Sequence, residues 1–253
     1  MNQTEKEYRM KPLINASTLK MYLGDYDPAI AKHIVLHGRP KSSAMSLGSV
    51  VHDLLENDFA MSFKFVISPY SDFRKKEARE WKQEAQEAGQ EVITQAIYDE
   101  ARDMAQSVAD HAPAWVMDRE LCTYEKPIYT PEFKALFDVI SSDGRGADFK
   151  TTSATSAKGF ERECLKYGYY LQGSFYSYVG ELKEFWFVAV STHKPYPVWN
   201  FKMSDEALAF GHEQWRKAYE AMHQPLDHSP IDLHAPSWWD GASEETAEEC
   251  FEL

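Results

Sequence analysis

The sequence predicts a mixed α/β domain, a central mixed sheet flanked by helices with a helical N-terminal part. Residues 95–111 place apolar side chains at the three- and four-residue spacing of an amphipathic helix. Residues 122–152 instead contain short strand-like runs separated by turn signals. Residues 183–192, "KEFWFVAVST", form the continuous apolar run of a buried strand. Helices, strands, helices, strands and a final helix therefore follow one another along the chain.

The N-terminal part is expected to contain three helices. The first begins at Asn15 or Ser17, because either side chain can accept hydrogen bonds from the amides of a first helical turn. The second is the apolar segment "SLGSVVHDLLEND". The chain is predicted to break at Gly89 before the helix at 95–111.

The middle and C-terminal elements follow from turn and cap residues. Two strands are predicted in "CTYEKPIYT" and "EFKALFDVI", joined by a turn at Thr130-Pro131, and a third in "GADFKTT" after the turn at Asp143-Gly144. Helical character returns from 156 to 181 with an interruption near Gly168. "YPVWNFKM" is expected to pair with the buried strand, and Ser204 to cap the last helix.

We expect one domain over residues 1–240, with a helical part at about 12–111 and the sheet with its helices at about 121–224. Residues 241–253 contain five glutamates and no basic residue, which predicts a mobile acidic tail. Three widely separated cysteines and the lack of a long apolar run indicate a reducing cytoplasm and no membrane span. The net charge of −13 weighs against a protein that coats nucleic acid, but not against DNA held in a narrow channel.

Three charged residues are candidates for a catalytic site. Asp138 lies on one predicted strand, and Asp148 and Lys150 lie on the next, two residues apart and so on one face. Two carboxylates suit Mg²⁺ or Mn²⁺, and a nearby ammonium can orient water or stabilise charge on a phosphate during metal-assisted hydrolysis. Acid-x-Lys also occurs by chance, as a turn cap or a simple ion pair, so other motifs must decide.

Four motifs in order resemble one nuclease group. Asp138 followed by Asp148-Phe149-Lys150 resembles the PD-(D/E)XK nuclease core, and more closely its RecE-type (exonuclease VIII) branch of phage and prophage recombination exonucleases. That branch is also resembled by the opening helix "NASTLKMYLGDYDPAIAKH", by "LGSVVHDLLEN" and by "YYLQGSFYSYV". The resemblance covers roughly residues 12–222.

The resemblance implies a 5′-to-3′ exonuclease that acts on linear double-stranded DNA ends and depends on Mg²⁺. It further implies a ring-shaped homo-oligomer, a trimer or tetramer, and a single-strand annealing protein as partner. On this pattern His52, Asp138, Asp148 and the backbone carbonyl of Phe149 bind the metal, and Lys150 acts on the attacking water. Without the resemblance, a histidine in the apolar run around His52 is more often a core residue.

Other motif positions are candidate DNA contacts with structural alternatives. Gly48 allows close approach of DNA or of a packed helix, and Gln172 and Tyr176 share a helix face that reaches DNA or packs on the sheet. Thr151 and Thr152 either donate hydroxyls to a phosphate or begin the next loop.

The basic stretch at Arg74, Lys75 and Lys76 either guides the duplex or is a solvated face with glutamate partners. Glu125 is either an acid near the metal site or a surface partner of Lys134.

Two other functions fit the same sequence. One is a flap- or nick-directed endonuclease or repair nuclease on this core, which closed circular DNA would distinguish. The other is a non-catalytic interaction protein, which the intact set of His52, Asp138, Asp148 and Lys150 disfavours.

Overall fold

The computed structural model describes residues 7–8, 10–23, 27–37 and 43–224. Its helices are α1 (Ala16–Leu23), α2 (Pro28–His37), α3 (Ser43–Glu56), α4 (Lys76–Glu87), α5 (Gln95–His111), α6 (Ala157–Lys166), α7 (Tyr169–Gly180) and α8 (Asp205–His223), with a 3₁₀ turn at Ala114–Met117. Its strands are β1 (Phe65–Ile67), β2 (Glu91–Ile93), β3 (Cys122–Tyr129), β4 (Lys134–Ser141), β5 (Arg145–Thr152), β6 (Glu184–Ser191) and β7 (Val198–Lys202). The predicted tail at 241–253 lies outside the described residues.

The main sheet has the strand order β3-β4-β5-β6-β7. The first three strands are antiparallel neighbours, β6 runs parallel to β5, and β7 runs antiparallel to β6. Helices α6 and α7 make the connection between the parallel strands β5 and β6, as a parallel crossover requires. β1 and β2 form a separate parallel pair. The mixed α/β architecture expected from the sequence is confirmed.

Local signals explain where several elements begin or end. Asn15 accepts a hydrogen bond from the amide of Thr18 at 2.9 Å, and Ser204 accepts one from Ala207 at 3.2 Å, as expected of N-cap residues. Gly168 adopts a left-handed backbone, φ 65°, between α6 and α7, which explains the predicted interruption.

The core has one layer on each face of the main sheet. On one face α3 and α5 pack through Val50, Leu54 and Met104 against the sheet. On the other face α1, α7 and α8 pack through residues such as Leu19 and Phe175. Within the described residues, none of the helices is both long enough and apolar enough to cross a bilayer.

Candidate active site

β4 and β5 separate where the candidate acids lie. Their ladder ends at the pair Val139–Ala147, and beyond it the carboxylate of Asp138 accepts a hydrogen bond from the backbone amide of Phe149 at 2.8 Å. The Asp138 side chain thus accepts the hydrogen bond that a backbone carbonyl of β4 would accept in a continuous ladder. The result is an opening in the sheet lined by the Asp138 carboxylate.

The alternation of side chains between the two faces of the sheet is also irregular in β4 at Asp138. Phe137 and Val139 are two residues apart, yet they belong to the clusters on opposite faces of the sheet. On the neighbouring strand Glu125, at the position opposite Asp138 in the register, has a left-handed backbone with φ 46°. A non-glycine residue rarely adopts this conformation, and such strain is concentrated at functional sites.

Helix α3 adds a histidine and a glutamate to this opening. His52 and Glu56 are four residues apart, so they share a helix face. Nδ1 of His52 lies 3.4 Å from Oδ2 of Asp138. One ligand atom from each of His52, Glu56 and Asp138 can be chosen so that all lie within 4.8 Å of one another. An imidazole with two carboxylates is a donor set that fits a divalent cation such as Mg²⁺ or Mn²⁺.

The electrostatics of this group fit a cation as well. Burial, followed by repulsion from Asp138 and Glu125, raises the pKa of Glu56 to about 10. Burial and then Asp148 raise the pKa of Asp138 well above its ordinary value. Burial lowers the pKa of His52 to about 4, which leaves its imidazole neutral at neutral pH and able to bind a metal. Without a cation these acids favour protonation, and a bound cation would favour their charged forms.

Asp148 and Lys150 form a buried ion pair next to this group. The ammonium of Lys150 contacts Oδ2 of Asp148, and the other carboxylate oxygen accepts a hydrogen bond from the side-chain amide of Gln172 at 2.5 Å. Asp148 is only 3% exposed. Burial opposes the charged form of Lys150, but Asp148, Tyr169 and Asp138 outweigh it, so its pKa lies above the ordinary value.

The structure therefore differs from the expected ligand set in one respect. It brings Glu56, rather than Asp148, into the group with His52 and Asp138. Asp148 can join that group only if its carboxylate turns away from Lys150 and Gln172. The backbone of Phe149 is in contact with the site, because its amide donates a hydrogen bond to Asp138.

An open cleft of about 700 Å³ connects the group of His52, Glu56 and Asp138 with Lys150. Its lining includes most of the predicted residues together with acids and a lysine that were not predicted: Gly48, His52, Glu56, Lys64, Glu125, Asp138, Phe149, Lys150, Thr151, Thr152 and Glu163. The opening between β4 and β5, with Asp138 and Phe149, is part of the wall of this cleft.

Gly48 is a close-packing position. A Cβ atom at Gly48 would lie 2.8 Å from Oγ1 of Thr151, so the absent side chain allows α3 to approach β5. This contact favours the helix-packing interpretation. Thr152 is buried, donates a hydrogen bond to Glu163 at 2.6 Å and accepts one from the amide of Ala154. Its hydroxyl thus has partners inside the protein.

Gln172 and Tyr176 do share a face of α7, but that face is turned towards the protein. Gln172 is 7% exposed and contacts Asp148 and Lys150, which leaves little surface for DNA. The Tyr176 ring packs 4.9 Å from that of Phe137. In this structure Gln172 supports the Asp148–Lys150 pair, and Tyr176 packs against the sheet.

The basic stretch lies around the start of α4. Arg74 pairs with Asp72 at 2.8 Å, and Lys76 pairs with Glu80 at 3.5 Å. Arg74, Lys75 and Lys76 are exposed and do not belong to the cleft lining among the described residues. This arrangement favours the solvated-face interpretation.

The strand register does not place Lys134 opposite Glu125, as a surface pair of these two residues would require. Lys134 lies opposite Tyr129, and its ammonium donates to the backbone carbonyls of Tyr8, at 2.8 Å, and Lys11. Glu125 instead lines the cleft, and its charge raises the pKa of Asp138 and Glu56. Glu125 is therefore an acid close to the candidate metal ligands.

Besides Lys64 and Glu163 in the cleft lining, two residues close to the reacting groups were not predicted from the sequence. Glu56 follows His52 at helical spacing, so the pattern His-x-x-x-Glu could have identified it. Lys20 donates a hydrogen bond to Oε1 of Gln172 at 2.6 Å, across 152 residues of sequence. No local signal marks Lys20, because the contact depends on how α1 packs against α7.

The fold and the site together define a domain of the PD-(D/E)XK type, with acids and a lysine at an opening between two strands. The chain belongs to the family of the PDDEXK-like domain of unknown function (DUF3799), whose sequence model matches residues 16–230. No curated protein matches this chain.

Two solved structures resemble this chain to different degrees. A candidate exonuclease from Eubacterium rectale has a TM-score of 0.58 at 14% identity, with 92% of each chain covered. A phage-related exonuclease from Haemophilus somnus 129PT has a TM-score of 0.37 at 12% identity, with 83% of this chain and 93% of that one covered. At 14% identity the similarity to the Eubacterium rectale structure shows the fold alone.

Proposed function

We propose that this protein is a divalent-metal-dependent exonuclease that degrades one strand of linear double-stranded DNA from its 5′ end. The observation that carries the proposal is the meeting of His52, Glu56 and Asp138 in one cleft with the ammonium of Lys150. Membership of a PDDEXK-like family supports the reaction class. The exonuclease name of the Eubacterium rectale protein supports exonucleolytic action.

In the proposed mechanism, His52, Glu56 and Asp138 bind the metal, with the Phe149 carbonyl beside them. Asp148 stays a proposed further ligand that must first turn towards the cleft. A bound Mg²⁺ or Mn²⁺ would supply Lewis acidity, favouring ionisation of a water and neutralising charge on the phosphate.

Lys150 is the proposed donor to the attacking water or to a phosphate oxygen, and its contact with Asp148 keeps it protonated. The cleft lining also contains Lys64, so two lysines and a bound cation would offset the acids there when a phosphate backbone binds. Thr151, which lines the cleft, is a proposed hydrogen-bond donor to DNA.

The biological setting proposed for this activity comes from the motif resemblance. We propose that the enzyme forms a ring-shaped trimer or tetramer around DNA and acts with a single-strand annealing protein in phage-type recombination in the bacterial cytoplasm. Sedimentation analysis tests the ring, since a monomer at all concentrations would contradict it.

Digestion of labelled DNA tests the reaction and its polarity. Linear duplex labelled at either the 5′ or the 3′ end is incubated with the protein in Mg²⁺ and in EDTA, beside covalently closed circular DNA. We expect metal-dependent release of the 5′ label as mononucleotides and an intact circle. Cleavage of the circle would indicate an endonuclease, and no cleavage of any DNA would contradict the proposed reaction.

A further inference from the structure

A second lysine is linked to the Asp148–Lys150 pair through the side chain of Gln172. Lys20, on α1, donates from Nζ to Oε1 of Gln172 at 2.6 Å. Lys150 approaches the same oxygen at the longer distance of 3.4 Å. Gln172 then donates from Nε2 to Oδ1 of Asp148. Lys20 is therefore linked to the site through a single amide.

The two lysines fix which way the Gln172 amide points. A carbonyl oxygen can accept hydrogen bonds from ammonium groups, and an NH₂ group can donate to a carboxylate. The reversed amide would direct its N–H groups at Lys20 and its oxygen at Asp148, which is unfavourable on both sides. Since hydrogen bonds to charged groups contribute more than neutral ones, Lys20 selects one orientation strongly.

Lys20 also limits how strongly Gln172 attracts Lys150. The Gln172 oxygen lies 2.6 Å from Nζ of Lys20 and 3.4 Å from Nζ of Lys150. Without Lys20 that oxygen would be left to Lys150 alone, and the shorter bond it favours would draw the ammonium away from the cleft. The position of Lys150 thus depends on α1.

The aromatic ring of Tyr169 stabilises both ammonium groups in this arrangement. Nζ of Lys20 lies 4.9 Å from the ring centroid, and Nζ of Lys150 lies 4.7 Å from it. Both distances fall in the range of a cation–π contact. Burial, then repulsion by Lys150, lowers the pKa of Lys20 to about 7, and the neutral amine formed above that pH still has N–H groups that can donate to Gln172. Lys20 is absent from the cleft lining among the described residues, so it acts behind the reacting groups.

We propose that Lys20 is a positioning residue that orients the Gln172 amide and thereby keeps Lys150 in its place beside Asp148 at the cleft. The inference rests on the proposed nuclease function, because Lys150 is there the group that reaches the substrate.

The test compares Lys20→Met with Lys20→Arg, Gln172→Leu and the Lys20→Met/Gln172→Leu double variant. Lys158→Met, on the exposed face of α6, is the matched control. The kcat and KM for end-labelled linear duplex and the urea midpoint of unfolding are measured for each. We expect Lys20→Met to lower kcat by about 10- to 100-fold, because misplacing a reacting group by about 1 Å has effects of this size.

KM and the unfolding midpoint should stay near those of the native protein, and Lys20→Arg should recover part of the lost kcat. The double variant should have the same kcat as Gln172→Leu alone, because Lys20 acts through Gln172. A native kcat in Lys20→Met would overturn the inference, as would additive losses in the double variant. A change confined to KM would also overturn it, because Lys20 would then bind DNA directly.

A native protein that cleaves no DNA would contradict the proposed function, not the contact. The side-chain amide resonances of Gln172, assigned in ¹⁵N spectra, then test the geometry without activity. We expect them to shift in Lys20→Met and to stay in place in Lys158→Met. Unshifted resonances in Lys20→Met would overturn the inference.

Discussion

Asp138 accepts a hydrogen bond from the backbone amide of Phe149 at 2.8 Å, in the opening between β4 and β5. An asparagine at this position can accept the same bond through its carbonyl oxygen but carries no charge. Exchange of this residue therefore separates the structural role of Asp138 from its role as a metal ligand.

We expect Asp138→Asn to fold normally and to bind Mn²⁺ at least about tenfold more weakly, because removing one carboxylate removes a ligand charge. Titration calorimetry measures the affinity. Asp143→Asn is the control, since Asp143 lies in the turn of the same hairpin and pairs with Arg145. Equal affinities in the native protein and Asp138→Asn would rule out Asp138 as a ligand.

The raised pKa of Glu56 predicts how stability depends on pH in metal-free buffer. The ordinary value of 4.5 is raised to about 10 in the folded protein, so over this range the folded state keeps a proton that the unfolded chain has lost. Stability therefore falls as pH rises, by at most about 1.4 kcal/mol per pH unit for one group. Asp138, also raised, contributes with the same sign.

Urea unfolding in EDTA at about pH 5, 7 and 9 measures this slope. In Glu56→Gln the loss of stability between the lowest and highest pH should be smaller than in the native protein. Saturating Mg²⁺ should offset the loss in the native protein, because a bound cation favours the ionised carboxylates. Identical slopes for the two proteins in EDTA would show that Glu56 ionises normally.

Gly48 and Thr151 predict a packing effect that is independent of DNA. An alanine Cβ at position 48 would lie 2.8 Å from Oγ1 of Thr151, so Gly48→Ala should destabilise the protein by about 1–3 kcal/mol. Thr151→Ala in the same chain removes the obstructing atom and should restore most of that loss. Urea denaturation of both single variants and the double variant gives the coupling. Additive effects would mean that Gly48 serves another purpose, such as approach of DNA.

The contacts of Arg74 and Lys76 with acids predict a small role in DNA binding. We expect the triple alanine variant of Arg74, Lys75 and Lys76 to change the slope of log K against log salt by less than about 0.9, the value for one phosphate contact. Lys64→Ala, in the cleft, should lower the slope by about that amount. A decrease of about 2 or more in the triple variant would show that these residues bind phosphates.

Most of the fold could be predicted because its signals are local. The turn at Asp143-Gly144 and the cap at Ser204 need only neighbouring residues, and both have the expected structure. Asp138 and His52 were singled out through motifs, and the structure brings them within 3.4 Å. The burial of Gln172 could not be predicted, because an amide in an aromatic-rich helix gives no indication of the side chains that will surround it.

Tertiary packing also explains why some features of the site could not be predicted from the sequence. Glu56 enters the site because α3 turns its His52 face towards the separated strands, and Lys20 enters because α1 packs beside α7. The Asp148 carboxylate faces Lys150 and Gln172 because strand alternation directs it away from the side occupied by Phe149. Each of these depends on residues distant in sequence.

The proposed reaction depends on the ammonium of Lys150 at the cleft. Degradation of end-labelled linear duplex in Mg²⁺ is compared for native protein, Lys150→Ala and Lys150→Gln, which keeps a hydrogen-bond donor near Asp148, with Lys158→Ala as surface control. We expect both Lys150 variants to bind DNA but to degrade it at least about 100-fold more slowly, since a charge-stabilising donor is removed. Folded Lys150→Ala that degrades linear duplex at the native rate would contradict it.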